Sequence, residues 1–211
     1  LVTGVGKSGI VARKIAATFS SIGLVSVYLN PLDALHGDLG IVGSEDVSIL
    51  ISNSGETKEL LEIIPHLKLR KSSLIALVGN TNSSIAKKSD SVLEATVDRE
   101  TCPLNLAPTA STSVAMSIGD ALATVWMEKN KVSTEEFAKN HPAGQLGKKL
   151  TLTISDLMVP IDKIDPILID ASLEEIIIKI SSGGIGITWV KGNQEDKKVI
   201  GIITDGDLRR G

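Results

Sequence analysis

Short apolar runs rich in branched side chains alternate with longer amphipathic stretches over the first two thirds of this chain. That alternation restricts the fold more than any other feature. The runs Leu24–Leu29, Val47–Ile51, Leu74–Val78 and Ser91–Ala95 have the length of strands, and each leads into a loop or a helical pattern. Between residues 56 and 70, Leu60, Ile63, Ile64 and Leu67 recur at helical spacing on one face. Ser111–Lys129 reads as a long helix, mostly apolar and rich in small residues, and is expected to be buried. Strands that alternate with helices build βαβ units and a mainly parallel sheet covered on both faces. The fold class is therefore α/β, and in such folds ligands bind beyond the carboxyl ends of the strands.

Composition removes several classes of function. A net charge of −3 is far from the basic surface of a nucleic-acid or anionic-membrane binder. Aromatic residues make up 2% of the chain, too few for base-stacking platforms. A single cysteine, Cys102, excludes an intrachain disulfide and gives no sign of secretion, so a cytoplasmic location is expected. No apolar run approaches the roughly 20 residues that span a bilayer. The chain opens at Leu1 inside an expected strand and closes as a helix begins, so both ends are expected to be cut.

The character changes over Asn140–Leu150, where Asn-His-Pro-Ala-Gly-Gln-Leu-Gly-Lys-Lys-Leu is neither periodic nor strongly apolar. This places a domain boundary at its end and divides the chain into residues 1–150 and 151–211. The second part holds Ile154–Pro160, a strand near Ile167–Ile169, a helix over Ser172–Ile180 and strands at Gly186–Val190 and Val199–Ile203. Such a βαββ unit is too short to bury a good core alone and is expected to pair with a second copy.

Three loops carry the chemistry. Gly4-Val5-Gly6-Lys7-Ser8-Gly9 matches the dinucleotide pattern G-x-G-x-x-G. The acid that should end the next strand and hold ribose is replaced by Asn30. A Walker A loop would need glycine where Leu1 stands. A tight turn before a helix and a sugar-phosphate or nucleotide loop both remain open. The second loop, Ser52-Asn53-Ser54-Gly55-Glu56-Thr57, places three hydroxyls and a glycine at a helix start. Free N–H groups and the helix dipole make such a start an anion site, beside the simpler reading of an N-cap. The third, Pro108-Thr109-Ala110-Ser111-Thr112-Ser113, repeats the device before the long helix. No lysine or arginine lies in the second or third loop, so any anion would be held mainly by dipoles.

These loops, together with Leu35-His36-Gly37-Asp38-Leu39-Gly40, Cys102-Pro103-Leu104-Asn105-Leu106-Ala107-Pro108-Thr109 and His141-Pro142-Ala143-Gly144-Gln145-Leu146-Gly147, resemble the sugar isomerase (SIS) domain of the D-arabinose 5-phosphate isomerase family. The resemblance covers nearly all of residues 1–150. It implies a parallel-sheet αβα sandwich. Residues Ile154–Pro160 and Gly201-Ile202-Ile203-Thr204-Asp205-Gly206-Asp207 resemble the first repeat of a CBS pair, here without its second repeat. A complete CBS pair implies a nucleotide ligand, with ribose and phosphate contacts at the Thr204 and Asp207 positions.

The implied reaction interconverts D-ribulose 5-phosphate and D-arabinose 5-phosphate through an enediol, supplying arabinose 5-phosphate for 3-deoxy-D-manno-octulosonate (KDO) synthesis. It needs a base for a carbon-bound proton, stabilisation of oxygen charge and proton exchange between oxygens, and no redox cofactor. Four residues match the family's catalytic positions: Lys7 for the oxyanion, Glu59, Glu100 and His141. Glu100 is expected to be the carbon base, with a carboxyl raised by burial and no helix to complement. His141 is expected to open the furanose ring or shuttle the oxygen proton. Gly6, Ser8, Ser52, Ser54, Thr57, Ser111 and Thr112 are the expected substrate contacts. His36 with Asp38 falls short of a metal site and offers at most adventitious binding. Cys102 reads as a buried small hydrophobe. The resemblance implies a homotetramer in which the His141 segment reaches a neighbouring subunit. A non-catalytic phosphosugar sensor and an isomerase of another phosphosugar are the competing readings.

Overall fold

A computed structural model describes residues 1–144, 147–149, 152–195 and 198–210. Gln145, Leu146 and Leu150 of the boundary segment lie outside the described residues. The chain separates into two compact units, 1–151 and 152–211.

The first unit is built on a five-stranded sheet in the order β2-β1-β3-β4-β5, with all described pairings parallel. The strands are β1 (Val2–Gly4), β2 (Tyr28–Leu29), β3 (Val47–Ser52), β4 (Ser73–Val78) and β5 (Ser91–Glu94). β3 and β4 are apolar on both faces because both faces are covered, which is why they read as continuous runs. Helices α1 (Gly6–Ser21) and α5 (Ala110–Asn130) pack on one face, where Val11, Ile15, Phe19, Ala115 and Ala123 meet Ile49, Ile51 and Leu77. Helices α2 (Pro31–Leu35), α3 (Lys58–Leu69) and α4 (Ser84–Lys88) cover the other, where Leu60, Ile63, Ile64, Leu67 and Ile85 meet Leu50, Leu74 and Val78.

The chain changes direction between β1 and β3, so the loops after these two strands are neighbours at the topological switch point. Helices α1 and α5 run side by side in the same direction, with Lys14 paired to Asp120 and Ile15 against Gly119. Their N-termini therefore open on the same edge of the sheet. A short helix α6 (Thr134–Lys139), capped by Ser133 and Glu136, follows at the opposite end, where Asn140 donates to the Ser21 carbonyl at 3.3 Å.

Two expectations from sequence need correction. Of Leu24–Leu29 only Tyr28–Leu29 pairs, because β2 is an edge strand with one neighbour; Val25 is 93% exposed. The long helix α5 is buried only at Ser111, Ala115, Gly119 and Ala123, the stripe facing α1 and the sheet, while Val125 is exposed.

The second unit has strands β6 (Ile167–Leu168), β7 (Ile187–Lys191) and β8 (Gly201–Thr204) in that spatial order, β6 parallel and β8 antiparallel to β7. Helix α7 (Ile154–Leu157) precedes them, α8 (Leu173–Gly183) joins β6 to β7, and α9 (Asp205–Arg210) follows β8. Ser172 and Glu175 form a capping box on α8. Few apolar side chains are buried, among them Ile167, Ile180 and Val190, whereas Ile154, Leu173, Ile178 and Ile202 are exposed. Among the described residues no helix is long and apolar enough to cross a membrane.

The α1–α5 contact sets a test. A Cβ at Gly119 would lie 2.4 Å from Ile15 Cδ1, and Ile15 is fully buried with nowhere to move. Gly119→Ala is expected to cost about 1–3 kcal/mol in urea unfolding, the range for overpacking a core. An unchanged midpoint would contradict the contact.

Candidate active site

The carboxyl ends of β3, β4 and β5 meet the first turns of α1 and α5 in a narrow cleft of about 50 Å³. Ser8, Ile51, Asn53, Gly79, Pro108, Ser111 and Thr112 are among its lining residues. Among the helices that begin at this edge, α1, α3 and α5 follow the three candidate loops, and their N-termini differ in what already occupies them.

α1 begins openly. Its N-cap residue Val5 offers no side-chain cap, its first turn holds no acid, and Gly6 takes φ +59°. Lys7 is exposed in that first turn. A cation there opposes the helix dipole, so local stability does not account for its presence. The turn is held from β2, where the Tyr28 hydroxyl donates to the Gly4 carbonyl at 3.0 Å. Asn30 lines a cavity with Gly4, Gly6 and Gly9 of this loop, but its side-chain oxygen is committed to Leu32 N, from which it accepts at 3.0 Å as the N-cap of α2.

α3 also begins without a side-chain cap. The hydroxyls of its loop brace the loop itself: Ser52 Oγ and Thr57 Oγ1 lie 2.8 Å apart, Ser52 Oγ accepts from Gly55 N at 2.9 Å, and Ser54 Oγ accepts from Glu56 N at 3.2 Å. The first-turn N–H groups of α3 are therefore left for an incoming anion. Glu59 is half-buried in that turn, and its carboxylate makes no hydrogen bond or ion pair with the described residues.

α5 is different. The buried Glu100 carboxylate accepts from Thr109 N at 2.7 Å, Thr109 Oγ1 at 2.9 Å, Ser111 N at 3.2 Å and the Ser111 hydroxyl. The Ser111 hydroxyl most of all, then the Thr109 amide, hold this carboxyl down at about 2 against the opposing effect of burial. This corrects the sequence reading of Glu100. It does have a helix to complement, and its pKa is depressed rather than raised. The expected contacts Ser111 and Thr112 do line the cleft, but their hydroxyls are already given to Glu100 and to the Thr109 carbonyl. Glu100 N is in turn held by Asn105 Oδ1 at 2.7 Å, with Asn105 at φ +54°.

Cys102 also departs from expectation. It is half-buried, and its sulfur accepts from Ala107 N at 3.4 Å and Leu106 N at 3.5 Å, which lowers the thiol pKa. Asn53 and Gly79 are cleft residues that the sequence reading did not single out. A Cβ at Gly79 would lie 2.4 Å from Asn53 Oδ1, so only glycine lets the ends of β3 and β4 approach. A glycine just past a buried strand was the available signal.

His141 is not brought to this edge. It follows Asn140, which is bonded to the last turn of α1, and α1 is 16 residues or about 24 Å long. Its ring stacks on Phe137 at 4.1 Å, and Nδ1 donates to the Phe137 carbonyl at 2.8 Å, leaving Nε2 unprotonated in the neutral ring. His36 is exposed at the end of α2, and no group of three or more metal-ligating side chains occurs among the described residues.

The 2-1-3-4-5 sheet with uncapped helix N-termini at its switch point defines a doubly wound α/β domain, the class in which ligands bind beyond the carboxyl ends of the strands. The SIS domain family matches residues 1–125, and the chain belongs to that family. Over its whole length it is 45% identical to an arabinose 5-phosphate isomerase, KpsF, of Escherichia coli O6:H1, and 42% identical to one, KdsD, of Pseudomonas aeruginosa. It spans 63% and 64% of the length of these relatives. A solved structure from E. coli CFT073, in complex with arabinose 5-phosphate, is 45% identical with a TM-score of 0.65, over 67% of this chain and 75% of that one.

The Glu100 contacts make stability depend on pH. The folded carboxyl near 2 lies below the unfolded value of about 4.3, so its stabilisation is complete above the unfolded value and disappears as pH falls through the window down to about 2. Glu100→Gln should therefore unfold more easily than the wild type at pH 6, with the gap closing as pH falls from about 4.5 toward 2.5. A gap independent of pH would contradict the ionised cap.

Proposed function

We propose that this chain is an aldose–ketose isomerase acting on D-arabinose 5-phosphate and D-ribulose 5-phosphate, with the arabinose 5-phosphate feeding KDO synthesis in the cytoplasm. The observation that carries the proposal is the uncapped N-terminus of α3 at the switch point, in a chain 42–45% identical to arabinose 5-phosphate isomerases. The phosphate is received by the first turn of α3, and Ser52, Ser54 and Thr57 hold the loop in shape around it. Gly6 and Ser8 present the open turn of α1 beside it.

The chemistry is proton transfer. Lys7 stabilises charge on the substrate oxygen as the enediol forms, which explains a cation placed against its helix dipole. Glu59, with both oxygens unengaged, takes the proton from carbon and returns it to the neighbouring carbon. Glu100 is too strongly held to serve as that base; it fixes the first turn of α5, where Ser111 and Thr112 line the cleft. His141 carries an accepting Nε2 suited to ring opening or to the oxygen proton. Its place about one α1 length from the site favours action on a neighbouring subunit in a homotetramer, with the half-exposed face of α5 available for assembly. The second unit serves as the first repeat of a CBS pair. Thr204 and Asp207, here bonded to each other at 2.7 Å, would contact a nucleotide once the pair is complete.

Incubation with D-ribulose 5-phosphate is expected to yield arabinose 5-phosphate without added cofactor; a protein that binds the sugar phosphate without converting it would be a sensor instead. Glu59→Gln should lower kcat by about 10²–10⁴-fold, the usual worth of a general base, at unchanged thermal stability. Glu100→Gln should lower kcat and stability together. A Glu100→Gln protein as stable as wild type yet inactive would return the base role to Glu100.

A further inference from the structure

We infer that Glu56 is a positioning residue: its carboxylate pins the Ser52–Thr57 loop to the first turn of α4 and so turns its own charge away from the anion the loop receives. The inference rests on the reading of this loop as the phosphate seat.

The sequence poses the problem. An acid between Gly55 and Thr57 stands in a loop that has no lysine or arginine of its own. A carboxylate facing a phosphate would repel it. In the structure the carboxylate is committed elsewhere: Glu56 Oε1 accepts from Ser84 N at 2.7 Å. That amide is the main reason its carboxyl lies below the ordinary range.

The bond is one of three that dock the loop on the segment following β4. Gly79 N donates to the Asn53 carbonyl at 3.0 Å, and Ile85 N donates to the Gly55 carbonyl at 3.0 Å. Between them Gly55, at φ +70°, lies so close that a Cβ would fall 1.9 Å from Ser83 Oγ. The bond to Ser54 shapes the loop internally, and those of Ser52, the last residue of β3, tie it to its own strand, but none of them holds it to the segment after β4. The docking bonds do, and among them Glu56 alone supplies a side chain. It can therefore be tested without altering the backbone.

The experiment measures the Kd of inorganic phosphate by NMR titration, and KM and kcat for arabinose 5-phosphate, in wild type, Glu56→Ala, Glu56→Gln and Ser84→Pro. Glutamine keeps the accepting oxygen and removes the charge. Ser84→Pro removes both donors that Ser84 offers to Glu56, the N–H and the hydroxyl, and leaves Glu56 in place. Proline suits the first position of a helix, and Ser83, at φ −73° and ψ 166°, already has the extended conformation that precedes proline. Glu56→Ala and Ser84→Pro should each weaken phosphate by about fivefold, the worth of one hydrogen bond, and raise KM far more than they lower kcat. Glu56→Gln should stay within about twofold of wild type, the acceptor being retained. Tighter phosphate binding in both Glu56 variants would mean that the charge faces the anion and would overturn the inference. Binding at the wild-type level in Glu56→Ala or Ser84→Pro, or glutamine no better than alanine, would also overturn it. A wild type that binds phosphate without isomerising would remove the proposed activity and leave this inference standing. A wild type that binds no phosphate would remove the loop reading and the inference with it.

Discussion

The arrangement of this ligand edge depends on one carboxylate. Glu100 accepts from two amides and two hydroxyls at the start of α5 and so supplies the negative charge that this helix N-terminus favours. Of the three helix starts that follow the candidate loops, one is thereby capped by a carboxylate and two have no side-chain cap. Under the proposed function an incoming anion meets an asymmetric edge: the uncapped starts of α1 and α3 favour it, whereas the start of α5 already holds Glu100. On that proposal the asymmetry gives a phosphate a side of the cleft to occupy. It also closes the loop from Glu100 to Thr109, which Asn105 completes in a left-handed turn.

The direction of the helices supplies the rest. A parallel sheet forces every crossover helix to begin at the same edge, and the side-by-side packing of α1 and α5 through Ile15 and Gly119 keeps their first turns together. The same geometry removes His141. The chain leaves α5 at the far edge, α6 forms there, and Asn140 ties its end to the last turn of α1. A residue so placed is about a full helix length from the edge where α1 and α5 begin.

Much of the fold was legible because period and length carry it. The runs at β3, β4 and β5 fall within a residue or two of the observed strands, and Leu60, Ile63, Ile64 and Leu67 do form the buried face of α3. The run before Tyr28 misled because a branched apolar pattern does not report how many neighbours a strand has. The long α5 misled because small residues mark close packing on one face, here Gly119 and Ala115 against α1, not burial all round. The loops at the ends of β1 and β3 were legible from glycine and hydroxyl spacing. The partners of Glu100 were not, since its bonds to Thr109 and Ser111 span an irregular loop with no period to read. The docking of Asn53 on Gly79 pairs the ends of two strands that are separated in sequence, which spacing within a single loop does not express.

The central claim, that the phosphate sits at α3 while Glu100 keeps the start of α5, is tested most directly by a crystal structure of this chain with arabinose 5-phosphate. The account predicts phosphate oxygens within hydrogen-bond distance of the first-turn amides of α3, with Glu100 still bonded to Thr109 and Ser111. A phosphate seated on the amides of Thr109 and Ser111, with Glu100 displaced, would contradict it.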